Sequence, residues 1–523
     1  MGVSRADGSR DGEWRGRRFG LPGGRNSPRP ASRDAGAGRR IACPTNRPEP
    51  PGLKATLTVL AILCCCPPLW PQADEPVAVF TGHPRLFLRP AKLKLLRRER
   101  ERGSARWRQL EALIQGGAPM PEPGFAKALF YQVSGDAAAG RQAVAWALGP
   151  GADLRQMALV FDWCQDLLGA SEKRDLAARL AGSLTAAGQE TVAAMRSRAL
   201  AAVALYDDVP DTPPRELRRI VRDWWEGRIS PALEKGRAPL PRDDAYELME
   251  LLFAIRDNTN IDLRGTAPRA FKTFPLDRLM SYYPAAFQAP ENDFRIGVED
   301  QPAEPDVKLA SLSRAADLAL VEYDPNAAET QSLQGWLMHD GFILRGVFGA
   351  PYEFLWANPY PPGLSYYHLP LAWHDAQFGR LFARSSWDDD AAWFGYFNGI
   401  AQKFENGRPA VLNPRDAAVR LGAASVFLGR SARKLRLTVG QGEAVFLAGL
   451  QPRRTYQVEV DDEQVYEAAT DPGGILELDL PRGKEIGVSI REAPIQPPIQ
   501  AASAARDRSP AVPRHEPRNL PPH

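Results

Sequence analysis

The chain reads as a multidomain protein, helical first and β after, and three observations predict this. Apolar residues recur at one-face helical spacing through residues 83–340. Beyond Phe342 that spacing gives way to aromatic- and proline-dense chain, then to short apolar runs separated by turn signals. The length, 523 residues, is long for one domain and suits two or three.

Taken in order, residues 1–52 are rich in Arg, Gly and Pro and cannot bury enough surface to offset chain entropy, so a disordered leader is expected. Residues 53–73 then place Lys54 before an apolar core, Ala55 to Leu69, and end on the small Ala73. That is the layout of a signal peptide and predicts an exported product, periplasmic or extracellular. It is too short for a stable membrane span, although anchoring by it is the alternative. A natural start near Leu53 suits this layout; a genuine leader ahead of an internal anchor is the rival. Leu60 to Leu63 put bulky residues before Cys64, where a lipidation signal needs small ones.

The helical domain is expected over residues 78–345. His83-Pro84-Arg85-Leu86-Phe87-Leu88 makes an extended lead-in, and a basic amphipathic stretch follows with Leu93, Leu96, Trp107 and Leu110. Met157, Phe161, Cys164 and Leu168 keep one face; so do Leu176, Leu180 and Leu184, and then Leu217, Ile220, Val221 and Trp224. Tyr246, Met249 and Phe253 continue the series, as do Leu276, Leu279, Met280 and Tyr283, and Val307 to Val321 nearly closes it. Successive helices with one apolar stripe imply a bundle or a toroid of helical hairpins, and periodicity does not choose between them. Residues 346–378 read as an interdomain linker. Residues 379–492 read as an antiparallel β domain, with strands at Leu381–Ala383, Trp393–Asn398, Ala424–Leu428, Leu435–Val439, Ala444–Leu447, Tyr456–Val460, Ile475–Leu480 and Ile486–Ile490. Asn406-Gly407 and Pro472-Gly473-Gly474 are its turn signals. Residues 493–523, rich in Pro, Ala and Arg, are expected to be a disordered tail.

Lys and Arg number 66 against 63 Asp and Glu, a formal net charge of +3, and the basic excess sits in the leader, so nothing global points to nucleic acid. Of five cysteines, Cys164 alone falls in the expected fold, at an apolar helix position that suits a buried thiol. No Cys/His spacing suits zinc, and no metal or other cofactor is expected.

Several segments share a resemblance. His83-Pro84-Arg85-Leu86 before a basic helix, Phe161-Asp162-Trp163-Cys164-Gln165-Asp166-Leu167-Leu168, Phe294-Arg295-Ile296-Gly297, Phe354-Leu355-Trp356 with Leu369-Pro370-Leu371, and Arg384-Ser385-Ser386-Trp387-Asp388 occur in the order found in heparinase II/III-like and alginate-lyase-like polysaccharide lyases. The resemblance spans roughly residues 80–490. It implies an incomplete (α/α) toroid followed by a small β-sandwich, and acidic, uronate-containing polysaccharide as the partner.

Such lyases cleave by β-elimination. A base takes the proton alpha to the uronate carboxylate, an acid protonates the leaving oxygen, and a donor neutralises the carboxylate as charge develops. The family signature is degenerate here. Where relatives carry Trp-His-Glu-Gly, this chain has Pro241-Arg242-Asp243-Asp244-Ala245-Tyr246, and the place of a His-x-His segment reads Asn398 to Asn406 with no His. The remaining candidates are Tyr246 as acid/base, Asn258 or Arg256 as neutraliser, and His368 as a lesser base. Trp225, Tyr367 and Glu299 are candidates for substrate contact. Each has a plainer reading: Tyr246 as a half-buried aromatic, Arg256 and Asn258 as helix-end chemistry, His368 as a packed linker residue. Glu299-Asp300 and Asp243-Asp244 keep open a hydrolase with two carboxylates. The expectation is an exported carbohydrate-active protein, an eliminating lyase if active, with a non-catalytic glycan-binding or scaffold protein as the alternative.

Overall fold

The computed structural model describes residues 77–289, 292–294, 306–341, 344–413, 415–429 and 432–493. The leader, the signal-like segment, Glu299-Asp300 and all but the first residue of the C-terminal tail lie outside the described residues. Among the described residues no helix is long and apolar enough to cross a membrane.

The helical region contains α1 (Pro90–Glu101), α2 (Ala105–Gln115), α3 (Pro123–Ser134), α4 (Ala137–Leu148), α5 (Leu154–Trp163), α6 (Ala170–Thr185), α7 (Val192–Ala204), α8 (Thr212–Arg218), α9 (Ser230–Glu234), α10 (Ala245–Thr259), α11 (Pro268–Met280), α12 (Val307–Tyr323), α13 (Ala328–His339) and α14 (Gly346–Trp356). A π-helical stretch, Arg219–Ile229, joins α8 to α9. The starts are written locally. Ser104, Asp136, Asp153, Thr191 and Asp306 accept hydrogen bonds from first-turn amides of α2, α4, α5, α7 and α12, and proline opens α1, α3 and α11.

Helix α14 occupies residues that the sequence suggests as linker. Its apolar composition explains why: Tyr352, Phe354, Leu355 and Trp356 are all buried. The helices α3, α5, α7, α10, α12 and α14 touch one another in that order, and α14 returns to α3. The others pack outside this series, α4 on α3, α6 on α5 and α7, α8 on α7, and α13 on α12.

Two of the segments that carried the resemblance meet at the N-terminal edge. The Asp162 carboxylate, wholly buried, accepts from the amides of Arg85 (2.9 Å) and Leu86 (2.8 Å) and pairs with His83 Nδ1 at 2.5 Å. The Trp163 indole N–H donates to Leu86 O at 2.9 Å. The Arg85 guanidinium can only donate, and it lies 2.7 Å from His83 Nε2, so that nitrogen accepts and the ring carries its proton on Nδ1.

A two-stranded antiparallel hairpin, β1 (Phe287–Ala289) and β2 (Asn292–Phe294), precedes α12. After α14 come β3 (Ala372–Asp375), β4 (Arg380–Arg384), β5 (Trp393–Phe397), β6 (Ile400–Glu405), β7 (Arg408–Leu412), β8 (Asp416–Arg420), β9 (Ala424–Gly429), β10 (Lys434–Thr438), β11 (Ala444–Ala448), β12 (Thr455–Val460), β13 (Gln464–Ala469), β14 (Leu476–Leu478) and β15 (Glu485–Glu492). They form three sheets in the orders β3-β4-β5-β6-β7, β14-β11-β9-β8 and β10-β15-β12-β13. The expected two-layer antiparallel sandwich is thus corrected to three layers, and β9 and β11 pair in parallel.

Strand alternation shows the stacking. In β4, Leu381 and Ala383 join Val426, Leu428, Phe446 and Ala448 in one core, while Phe382 turns to the helices. In the middle sheet Phe427, Val445 and Leu447 face Val458, Val488 and Ile490 of the third. A sheet covered on both faces needs near-continuous apolar strands, and Ala424-Ser425-Val426-Phe427-Leu428 and Ala444-Val445-Phe446-Leu447-Ala448 supply them. The β6–β7 turn is Asn406-Gly407, at φ 53° and 74°, the two positive values that a tight hairpin requires.

Candidate functional site

A cluster of charged groups lies among the contacting helices. Glu250, in α10, is 0% exposed. Arg155 of α5 grips it with two N–H donors, Nε to Oε2 at 2.8 Å and Nη2 to Oε1 at 2.7 Å. Arg196 of α7 donates to Oε2 from the other side. The Tyr246 hydroxyl donates to Oε1 at 2.7 Å and itself accepts from the Trp356 indole N–H at 2.9 Å. Glu122, preceding α3, takes Arg155 Nη1 at 3.3 Å and the Tyr352 hydroxyl. The Arg155 guanidinium lies over the rings of Phe125 (4.9 Å), Tyr352 (5.6 Å) and Tyr246 (5.9 Å).

The electrostatics follow from this packing. Burial works to raise the Glu250 carboxyl, and the Arg155 and Arg196 charges overcome it, leaving it below the ordinary glutamate range. Burial, then the Glu250 charge, pushes the Tyr246 phenol far above its ordinary value. Burial likewise raises Tyr352. Burial raises the carboxyls of Asp244 and Glu247, at the start of the same helix.

The sequence candidates are dispersed. Tyr246 is 1% exposed inside this cluster. Asn258 sits twelve residues further along α10, about 18 Å of helix rise, and its Nδ2 donates to Ala254 O at 2.9 Å. Arg256 Nη1 donates to Tyr323 O at 2.7 Å, Nε donates to Asp257 at 2.9 Å, and the guanidinium lies 3.6 Å from the Tyr323 ring centroid. His368 is exposed in a short turn, Tyr366–His368. Among the described residues no hydrogen bond joins any two of these four.

Trp225 is fully buried, its indole N–H donating to Leu263 O and Thr266 Oγ1, both at 2.9 Å, so it offers no face to a sugar. Tyr367 is open: its ring stacks on Tyr366 at 4.6 Å and 52% of its surface is exposed. Asp243 and Asp244 are consecutive residues of one turn, Arg242–Asp244. His374, in β3, pairs with Asp471 at 2.9 Å.

The segment from Asn398 to Asn406, which has no His, contains strand β6. Its Gln402 is 0% exposed, and its Oε1 accepts from the Tyr283 hydroxyl at 2.7 Å. Tyr283 stacks on Phe404 at 5.2 Å and meets Trp393 edge-on at 5.3 Å. Around it the first sheet clasps the helices: Trp393 Nε1 donates to Met280 O at 2.9 Å, Arg384 Nη2 to Tyr282 O at 3.2 Å, and Arg380 Nη1 to Asp277 at 2.6 Å.

Sequence reasoning missed the partners of Tyr246. The signal was present: Arg155 and Glu250 each interrupt an apolar run, Leu154 to Phe161 and Leu248 to Phe253. Among the described residues no group of three or more His, Cys, Asp or Glu is placed to hold a metal. Burial pushes the Cys164 thiol up to about 12, which leaves it protonated and inert.

No family model and no curated protein matches this chain. Among solved structures, one described as a glycoside hydrolase aligns over 71% of this chain and 71% of its own, at 11% identity and TM-score 0.26. A GH127 β-arabinofuranosidase aligns over 80% of each chain, at 10% identity and TM-score 0.26. Likenesses at this level identify neither the fold nor the activity. The architecture is a helical region followed by antiparallel-rich sheets.

Proposed function

We propose that this chain is a glycan-binding protein on a lyase-like frame, a toroid of helical hairpins backed by sheets, whose elimination chemistry has been replaced by packing. The observation that carries this reading is the Tyr246 phenol. It is sealed between Glu250 and Trp356, and burial beside a carboxylate makes its ionised form costly. A base for β-elimination must shed its proton near working pH and must reach the substrate, and this hydroxyl is suited to neither. Gln402 and its Tyr283 partner supply neutral packing where the resemblance places a proton-transferring His. Tyr367 supports the glycan half of the reading, because a flat ring, half open and backed by Tyr366, suits stacking on a pyranose face.

The experiment is to incubate the full chain with alginate, heparan sulfate, hyaluronan and pectin, and to follow unsaturated-uronate absorbance alongside retention in glycan-containing gels. The expected result is retention by at least one glycan, weakened in Tyr367→Ala, with no unsaturated product. Accumulation of unsaturated product that Tyr246→Phe abolishes would restore the lyase assignment and overturn this one.

A further inference from the structure

We infer that a basic groove along α1 is a second glycan-contacting site, specific for acidic saccharides; this rests on the glycan-binding reading and adds a site to it. The groove encloses about 770 Å³ and lies between α1, the chain at Phe80–Arg85 and the end of α10 at Asp257 and Asn258. It is far along α10 from Tyr246, and it shares no residue with the Glu250 cluster.

Three properties point to an anionic ligand. Lys94 and Arg98 stand one turn apart on the face of α1 opposite the buried Leu93 and Leu96, and both are exposed. Together with Arg89 they line the groove, and among the described residues none of the three forms an ion pair. Of the acids nearby, Asp257 is engaged by Arg256 at 2.9 Å, Asp207 and Asp162 are taken by Arg85 and His83, and Glu101 stands at one end of the groove, beyond Arg98. Unpaired cations lining a concave surface hold a positive potential that a carboxylate or sulfate ester would lower.

A fourth property points to a saccharide. The Phe80 ring, 50% exposed, forms part of the wall, with the Arg89 guanidinium 5.5 Å from its centroid. An apolar plate beside cations matches a sugar ring that carries an acidic group, with the C–H face on the phenyl and the anion on the guanidinium. Glu101, one turn beyond Arg98, ends the cationic face and limits the ligand to a short stretch.

The test measures binding of the full chain to alginate oligosaccharides, to neutral cello-oligosaccharides and to a single-stranded oligonucleotide of matched charge, at low and high salt. Alginate oligosaccharide binding is expected to weaken as salt rises through the range where screening length falls below about 10 Å. The doubly substituted Lys94→Glu/Arg98→Glu chain, altered at exposed positions, is expected to lose about tenfold or more in affinity, and Phe80→Ala several-fold with the salt dependence retained. Cello-oligosaccharide retention, where Tyr367 carries it, should be unchanged in both. Wild-type alginate binding in the doubly substituted chain overturns this groove while leaving the glycan-binding reading intact. Failure of the native chain to bind any glycan overturns both. An oligonucleotide that binds as tightly as the alginate oligosaccharide, and competes with it, overturns the saccharide assignment.

Discussion

At the residue scale, two of the buried glutamates of the helical region, Glu250 and Glu353, titrate in opposite directions, and the difference lies in their neighbours. Glu250 is held by two guanidiniums, so its folded pKa is depressed. A depressed carboxyl contributes stability above its unfolded value of about 4.3 and loses it as pH falls through the lower folded value. Glu250→Gln removes the charge but leaves Arg155 and Arg196 buried, and is expected to cost about 3–5 kcal/mol at pH 7. Urea unfolding measures this, and the gap to the parent chain should close under acid. Glu353 shows the reverse. Burial pushes its carboxyl from 4.5 up to about 7, against the Leu344 amide that donates to it. A raised carboxyl contributes fully below 4.5, and that contribution is lost as pH rises through 7. Glu353→Gln keeps an oxygen for the Leu344 amide and carries no charge. Relative to the parent, the variant should therefore become more stable between pH 5 and pH 8, by up to about 3 kcal/mol. Equal pH slopes in the two proteins would show that Glu353 stays charged in the folded state.

At the element scale, the segment after α14 is fixed by backbone contact. Leu364 N donates to Gln331 O of α13 at 2.9 Å. A Cβ on Gly335, one turn further along α13, would fall 1.9 Å from Leu364 O, so the glycine is required for the close approach. Gly335→Ala is expected to destabilise by about 1–3 kcal/mol, as overpacking does, and to free the segment around Tyr360 to His368 for proteolysis. Limited digestion followed by mass spectrometry reads both, and protection equal to the parent's would refute the contact. Elements of this kind mark where sequence reading succeeds and fails. Helices with one polar face, such as α6 with Leu176, Leu180 and Leu184 buried, are legible because periodicity reports a single apolar side. Helix α14 is apolar apart from Glu353, shows no polar face and carries Pro351 within it, so it reads as linker although it packs among the contacting helices. Strands β7, β8 and β13 expose much of their surface and carry little apolar signal, and were missed. The candidate site was least legible. Tyr246 stands out in the sequence as a candidate, but whether its hydroxyl faces solvent or Glu250 depends on Arg155 and Arg196, which lie on other helices.

At the scale of the whole molecule, the helical region and the first sheet share one apolar core, whereas the outer sheets have their own. Phe382, Trp387, Trp393, Phe397 and Phe404 pack with the residues of the helices, and the second and third sheets close over a separate cluster that includes Phe427, Val445, Val458 and Val488. Among the described residues, the polar contacts across the shared boundary are made by the first sheet and its turns. Trp393 donates to Met280 O, Arg384 to Tyr282 O, and Gln377 Nε2 to Leu233 O at 2.8 Å. Residues 77–371 produced alone would expose the apolar face that covers Trp393 and Phe382 and would leave the Met280 and Tyr282 carbonyls without those donors. Burying a large aromatic side chain is worth about 1.5–3 kcal/mol, so losing the burial of several is comparable with the whole stability of an ordinary domain, roughly 5–15 kcal/mol. That fragment is therefore expected to aggregate, or to lack a cooperative thermal transition. Extending it to residue 413 restores the helix-facing side of the first sheet but opens the opposite side, where Leu381, Phe394 and Tyr396 meet Val426 and Phe446. Circular dichroism melts of the two fragments and of residues 77–493 test the order. A sharp, reversible transition in the 77–371 fragment would show that the helices close on themselves, and that the sheets are an appendage rather than part of the fold's support.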